Sequence, residues 1–252
     1  MLPFLKSRSA RWGQYMSTAG SRVRQSVAAL RRFYGKPERP PSSDAFELVL
    51  FENVAYLAPD ERRRAAFSLL QESVGTEPEV ILRASRALLE RVTAHGILKT
   101  RFAVKLRECA RIAAKDFGGD LDAVLDESTA LARRALRRFP GIGAPGADRI
   151  LLFSGRLKIL APESNGLRVL MRLGLIVEDK SYARLYKAGV EAAAALPATL
   201  RTLQDAHLLL RHHGHELCRI AAPRCAECPL QHDCAFAVAA RRIFPDRRRR
   251  VR

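Results

Sequence analysis

The chain has 252 residues, 48% of them hydrophobic and 28% charged, with a formal net charge of +18. That length suits one large domain or two small ones with a real core, and the apolar content excludes a disordered chain. No uncharged apolar run reaches the roughly 18 residues of a membrane span, and the charge calls for a polyanionic partner.

The charge is unevenly placed. Residues 1–40 hold nine Lys or Arg against Glu38 alone, and residues 241–252 hold seven Arg against Asp246, which leaves only +4 for the 200 residues between. The expectation is a basic N-terminal arm and linker over 1–43 and an Arg-rich tail over 241–252, both gripping phosphates without reading sequence. The same Arg- and Ser-rich start also describes a solvated tail or an organellar transit peptide. The segment Lys36-Pro37-Glu38-Arg39-Pro40-Pro41-Ser42-Ser43 reads as the linker.

Beyond the linker, apolar residues recur at three and four positions nearly throughout, and strand signals are scarce; the class is all-α. Helices are expected at 46–57, 60–73, 80–92, 101–115, 127–138, 147–154, 165–173, 180–194 and 199–214, punctuated by Gly and Pro. Glu52 interrupts the apolar run Phe46 to Leu57, which reads either as a buried paired acid or as a functional one. Cys109 shares an apolar helical face with Leu106 and Ala113 and is read as core.

Further on, Phe139-Pro140-Gly141-Ile142-Gly143-Ala144-Pro145-Gly146 lies between two helical stretches. Its glycines permit a tight turn with backbone N–H groups at a helix start, which suits phosphate but also a plain helix connection. Glu163 stands just before Ser164-Asn165, where an acid favours a helix start in any case. Cys218-x6-Cys225-x2-Cys228-x5-Cys234 then packs four thiols into 17 residues. Such a set suits Zn²⁺ or a [4Fe–4S] cube, and its single Cys-x-x-Cys hook between unequal gaps disfavours zinc.

The order turn, acid, cysteine loop resembles the endonuclease III and adenine glycosylase superfamily of DNA glycosylases, which carry the helix-hairpin-helix and Gly/Pro-rich loop ending in Asp (HhH-GPD). The resemblance spans roughly residues 44–240. It implies a six-helix barrel with the hairpin over 44–157 and a helical iron–sulfur domain over 158–240. It implies a [4Fe–4S] cofactor on Cys218, Cys225, Cys228 and Cys234. Gly141, Ile142, Gly143, Asn165, Arg219 and Arg224 would meet duplex DNA containing a damaged or mismatched base. The same resemblance implies a monomer, no membrane partner, and a bacterial-type cytoplasmic or nucleoid location.

Departures from the family pattern shape the expected activity. Bifunctional members carry a lysine nucleophile at the position of Pro145, which has none. The family's catalytic Asp falls at Glu163, and the adenine-branch general acid falls at Glu52. Leu57 takes the place of a polar residue that enters the gap left in DNA. The expectation is a monofunctional glycosylase in which Glu163, as carboxylate, faces the cationic sugar and Glu52, kept protonated by apolar surroundings, protonates the base. The alternative is a glycosylase-like iron–sulfur DNA-binding protein without turnover. A zinc-bearing nucleic-acid module is a third reading.

Overall fold

In the computed structural model, residues 6–56 and 58–243 are described, with side chains from residue 20 to residue 240 apart from Leu57. Leu57, read as replacing the polar residue that enters the gap in DNA, and the arginines of the tail from residue 241 onward therefore lie outside the described residues or side chains. Every regular element among the described residues is helical, as expected. None of these helices is long and apolar enough to cross a membrane.

The segment read as a basic arm is a helix. Here α1 runs Lys6–Tyr34. Val23 and Leu30, seven positions apart on one face, are fully buried. Arg22 donates to the carbonyl of Leu173 at 2.6 Å, and Arg31 pairs with Asp205 at 2.8 Å. Arg39 also pairs with Asp205 and donates to Gln204. Apolar burial and internal pairing thus turn part of the expected phosphate-binding charge into structure.

Contacts divide the chain into two compact units, Pro40–Leu157 and a unit built from both chain ends, Met1–Arg39 with Lys158–Arg252. The first unit holds α2 (Ala45–Val54), α3 (Asp60–Ser73), α4 (Pro78–Arg83), α5 (Arg86–Val92), α6 (Lys99–Phe117), α7 (Leu121–Glu127), α8 (Thr129–Leu136) and α9 (Ala144–Phe153). Most of α2 is buried, and Phe51 meets Phe67 of α3 edge to face at 5.6 Å. Cys109 on α6 is fully buried, and burial pushes its thiol up to about 12.

Two expected helices differ in extent. The stretch 80–92 is split because the Ser85 hydroxyl accepts from the Leu88 N–H, which starts α5 afresh. Before 127–138, α7 occupies residues given no helix in the sequence reading, and Ser128 caps α8 through the Leu131 N–H. Serine and aspartate caps explain why helices start inside a continuous apolar period.

The second unit adds α10 (Ser164–Arg172), α11 (Tyr182–Ala192), α12 (Leu200–Glu216) and α13 (Ala235–Ile243) to α1. Helices α10 and α12 pack so closely that a Cβ on Gly214 would lie 2.6 Å from the Asn165 carbonyl oxygen. Backbone cannot yield there as a flexible side chain does. Gly214→Ala is expected to destabilise this unit by about 2 kcal/mol through overpacking, read as a lower thermal midpoint; an unchanged midpoint would show that α10 and α12 can separate freely.

Candidate active site and cysteine loop

In the first unit, α8, a turn and α9 form the expected hairpin. Gly141 takes φ 77°, a conformation that favours glycine, and a Cβ there would lie 3.2 Å from Asn53 Oδ1 and 3.5 Å from Lys105 Nζ. Ile142 is buried, and its N–H donates to the Phe139 carbonyl. Phe139 stacks on Phe117 at 5.9 Å and leans on Phe46 at 6.2 Å, anchoring the turn in the core. Gly143 precedes the first residue of α9, and Pro145 sits in the first turn, where no intrahelical N–H bond is lost.

Lys105, beside the hairpin, also lies over the rings of Tyr56 and Phe102 at 5.6 and 5.9 Å. Gly96 packs against Phe102 and the backbone of Ala55, and beyond it Ile97 and Leu98 stand 66% and 47% exposed. A hairpin, a lysine and an exposed apolar knob thus follow one another across this unit. The sequence reading missed the knob; its only signal was two aliphatic residues between Gly96 and Lys99.

Glu52 is not where an apolar run suggested. Arg149 of α9 grips it with two hydrogen bonds, 2.9 Å to Oε1 and 2.6 Å to Oε2, and Arg63 of α3 lies 3.8 Å from Oε2. A bidentate guanidinium is the partner of a charged, acceptor-only carboxylate. This corrects the expectation of an acid kept protonated by apolar neighbours: two arginines, 97 and 11 positions away, supply the countercharge.

Glu163 caps α10. Its Oε1 accepts from the Gly166 N–H at 2.9 Å, and its Oε2 accepts from Asn165 Nδ2 at 2.9 Å. Upstream, buried His207 of α12 meets the Ala161 carbonyl at 2.8 Å and holds the approach to the cap. Asn165 Oδ1 in turn accepts from Arg168 Nη2 at 2.7 Å, so both ends of this amide are engaged inside the protein. Arg168 continues to the carbonyls of Gly214 at 2.6 Å and Cys218 at 2.8 Å. The carboxylate and the first cysteine of the loop are therefore joined through two side chains.

All four clustered cysteines line a single cavity in the second unit, with apolar walls from Leu173, Leu217, Leu230 and Ala237 and no carboxylate. N–H groups point at the sulfurs: Leu230 N lies 3.4 Å from Cys228 Sγ, and Arg172 Nη1 lies 3.4 Å from Cys218 Sγ. His213 Nε2 is 3.5 Å from Cys228 Sγ. Arg172 also donates to the carbonyls of Cys218, Arg219 and Ile220 and lies over the Phe236 ring, clamping the loop.

Among the described residues, no three His, Cys, Asp or Glu side chains converge closely enough to hold a single metal ion. Four cysteine sulfurs around one cavity, with His213 beside them and N–H groups aimed at them, fit a [4Fe–4S] group. Arg224, expected at phosphate, is paired with Glu227 through two hydrogen bonds, and Arg219 Nε donates to the Glu216 carbonyl. Arg172 was missed in the sequence, although its place four residues after Arg168 puts both on one helix face.

Comparison with known proteins gives relatives in sequence and in fold. The chain matches no family profile. A protein of Methanocaldococcus jannaschii named a putative DNA repair glycosylase is 24% identical over 207 residues, 80% of this chain and 90% of the relative. An endonuclease III of Sulfolobus acidocaldarius is 25% identical over 197 residues, 77% of this chain and 82% of the relative. Among solved structures, an endonuclease III trapped as a covalent intermediate with DNA has a TM-score of 0.70 at 18% identity, covering 88% of this chain and 98% of that one. A thermostable thymine-DNA glycosylase has a TM-score of 0.66 at 16% identity, covering 87% and 98%. Relatives with these names along about four-fifths of the chain, together with the endonuclease III fold, support an HhH-GPD DNA glycosylase.

Proposed function

We propose that the protein is a DNA glycosylase of base-excision repair that hydrolyses the N-glycosidic bond of a flipped, damaged or mismatched base in duplex DNA, acting as a monomer. The observation that carries this reading is Glu163, a carboxylate fixed at the start of α10 by the Gly166 N–H and by Asn165. Breaking the bond builds positive charge on the sugar, which a preorganised carboxylate stabilises, and the same oxygen orients water. Base extrusion costs a few kcal/mol, least for a mispaired base. Ile97 and Leu98 suit an apolar wedge that unstacks neighbouring bases, and the hairpin with Lys105 suits the phosphates.

Pro145 in the first turn of α9 offers no amine, so the proposed reaction forms no covalent enzyme–DNA intermediate. Glu52, bound by Arg149 and Arg63, is assigned to holding α2, α3 and α9 together rather than to proton transfer. Cys218, Cys225, Cys228 and Cys234 would hold the [4Fe–4S] group, which on this reading supplies no reacting atom and keeps the loop folded. The Arg-rich tail adds affinity without specificity. Deleting residues 244–252 is expected to make the log–log salt dependence of duplex binding shallower, by about 0.9 for each phosphate that the tail had neutralised, with lesion preference retained; an unchanged slope would remove the tail from the interface.

The deciding experiment is a panel of lesion and mismatch duplexes assayed for abasic product, with borohydride present in a parallel set. Abasic product without a trapped adduct is the expected result, and a trapped adduct would overturn the monofunctional assignment. A second reading, a DNA-binding protein without turnover, is favoured by one observation: both oxygens of Glu163 already accept hydrogen bonds within the protein. Tight duplex binding with no product on any lesion would establish it.

A further inference from the structure

One side chain of the N-terminal helix reaches the cysteine cavity indirectly. Tyr34, the last residue of α1, places its hydroxyl 3.0 Å from His213 Nδ1, and the other ring nitrogen, Nε2, lies 3.5 Å from Cys228 Sγ. His213 is 1% exposed, so bulk water does not compete for either nitrogen. The Tyr34 ring is held in place by edge-on packing against His212 at 4.7 Å and Phe33 at 4.8 Å.

A ligating cysteine is a thiolate and can only accept hydrogen bonds. A bare ring nitrogen facing it would set two acceptors against each other. The thiolate therefore favours the proton on Nε2, and an O–H donated by Tyr34 to Nδ1 favours the same tautomer from the other side of the ring. We infer that Tyr34 is a positioning residue for the iron–sulfur site: its hydroxyl selects the His213 tautomer that donates an N–H···S hydrogen bond to Cys228. The inference rests on the [4Fe–4S] reading of the four cysteines.

Hydrogen bonds to cluster sulfurs favour the more reduced, more negative state and raise the reduction potential. Without the tyrosine hydroxyl, Nδ1 loses its donor, the Nε2–H tautomer loses half of its support, and the bond to Cys228 weakens. Tyr34→Phe deletes the hydroxyl and keeps the ring packing, so helix content should match that of the unaltered chain.

The test uses the full-length protein purified without oxygen, analysed for iron, sulfide and zinc, and then examined by voltammetry. The expected result is a cluster in both proteins, with the potential of Tyr34→Phe shifted to more negative values and its iron lost faster to a ferrous chelator. His213→Leu, which removes the N–H altogether, should shift the potential in the same direction and at least as far. An iron-loaded protein whose potential and iron-loss rate do not change in Tyr34→Phe overturns this inference alone. Stoichiometric zinc, or no metal, in the unaltered chain overturns the cluster reading and the inference with it.

Discussion

Glu163→Gln is expected to lower base excision by about a hundredfold or more, while duplex affinity is retained. The substitution removes the negative charge that would face the cationic sugar but keeps the length of the side chain. Its amide oxygen can still accept from the Gly166 N–H, so the start of α10 survives. The amide nitrogen then faces Asn165 Nδ2, a donor against a donor. Asn165 cannot turn to relieve this, because its Oδ1 is held by Arg168.

Glu163→Asp separates charge from this local conflict. It keeps the carboxylate, one methylene shorter, and should retain measurable turnover where the Gln variant does not. Single-turnover product formation on a responsive lesion is the measurement. Equal activity in Glu163→Gln and the unaltered protein would reduce Glu163 to a helix cap. Glu52→Gln is expected to lower turnover far less than Glu163→Gln, because the two arginines hold Glu52 in a structural pair.

Arg149→Leu should have the larger effect on stability. It leaves the Glu52 carboxylate, 13% exposed in its side chain, with Arg63 at 3.8 Å as its remaining ion-pair partner of the two. Removing the bidentate partner of a mostly buried carboxylate costs roughly 3 kcal/mol, which for a unit of this size lowers the thermal midpoint by about 10 °C. The double change Glu52→Leu, Arg149→Leu removes the under-compensated charge and should recover much of that loss. A single Arg149→Leu variant that melts like the unaltered protein would mean that Arg63 moves in to compensate fully. Circular dichroism melts of the three proteins decide the matter.

What the sequence made legible follows from the range of each interaction. The hairpin could be read because Gly141 and Gly143 are required locally by the turn, and the cysteine loop because its four ligand candidates lie within 17 residues. The cap at Glu163 was equally local. The state of Glu52 was not legible, since its main partner lies 97 positions away and its neighbours on α2 are apolar. Asn165 and Arg224 have partners only three positions away, Arg168 and Glu227, so those pairs were within reach of the helical spacing and were passed over. Helix α1 was misjudged because its Arg-rich composition outweighed the sparse apolar spacing of Val23 and Leu30. Its partner, α12, is remote in the chain.

That remoteness sets an order in time. Leu200 at the start of α12 comes 166 positions after Tyr34 at the end of α1, a stretch that a ribosome adding about 5–20 residues per second covers in roughly 8–33 s. Throughout that interval α1 has been synthesised but its docking partner has not. The 40–157 unit, contiguous in the chain, can fold during the wait, and the Pro-rich segment after Tyr34 separates α1 from it. Arg31 of α1, and Arg39 just beyond it, meet their partner Asp205 only once α12 has been made.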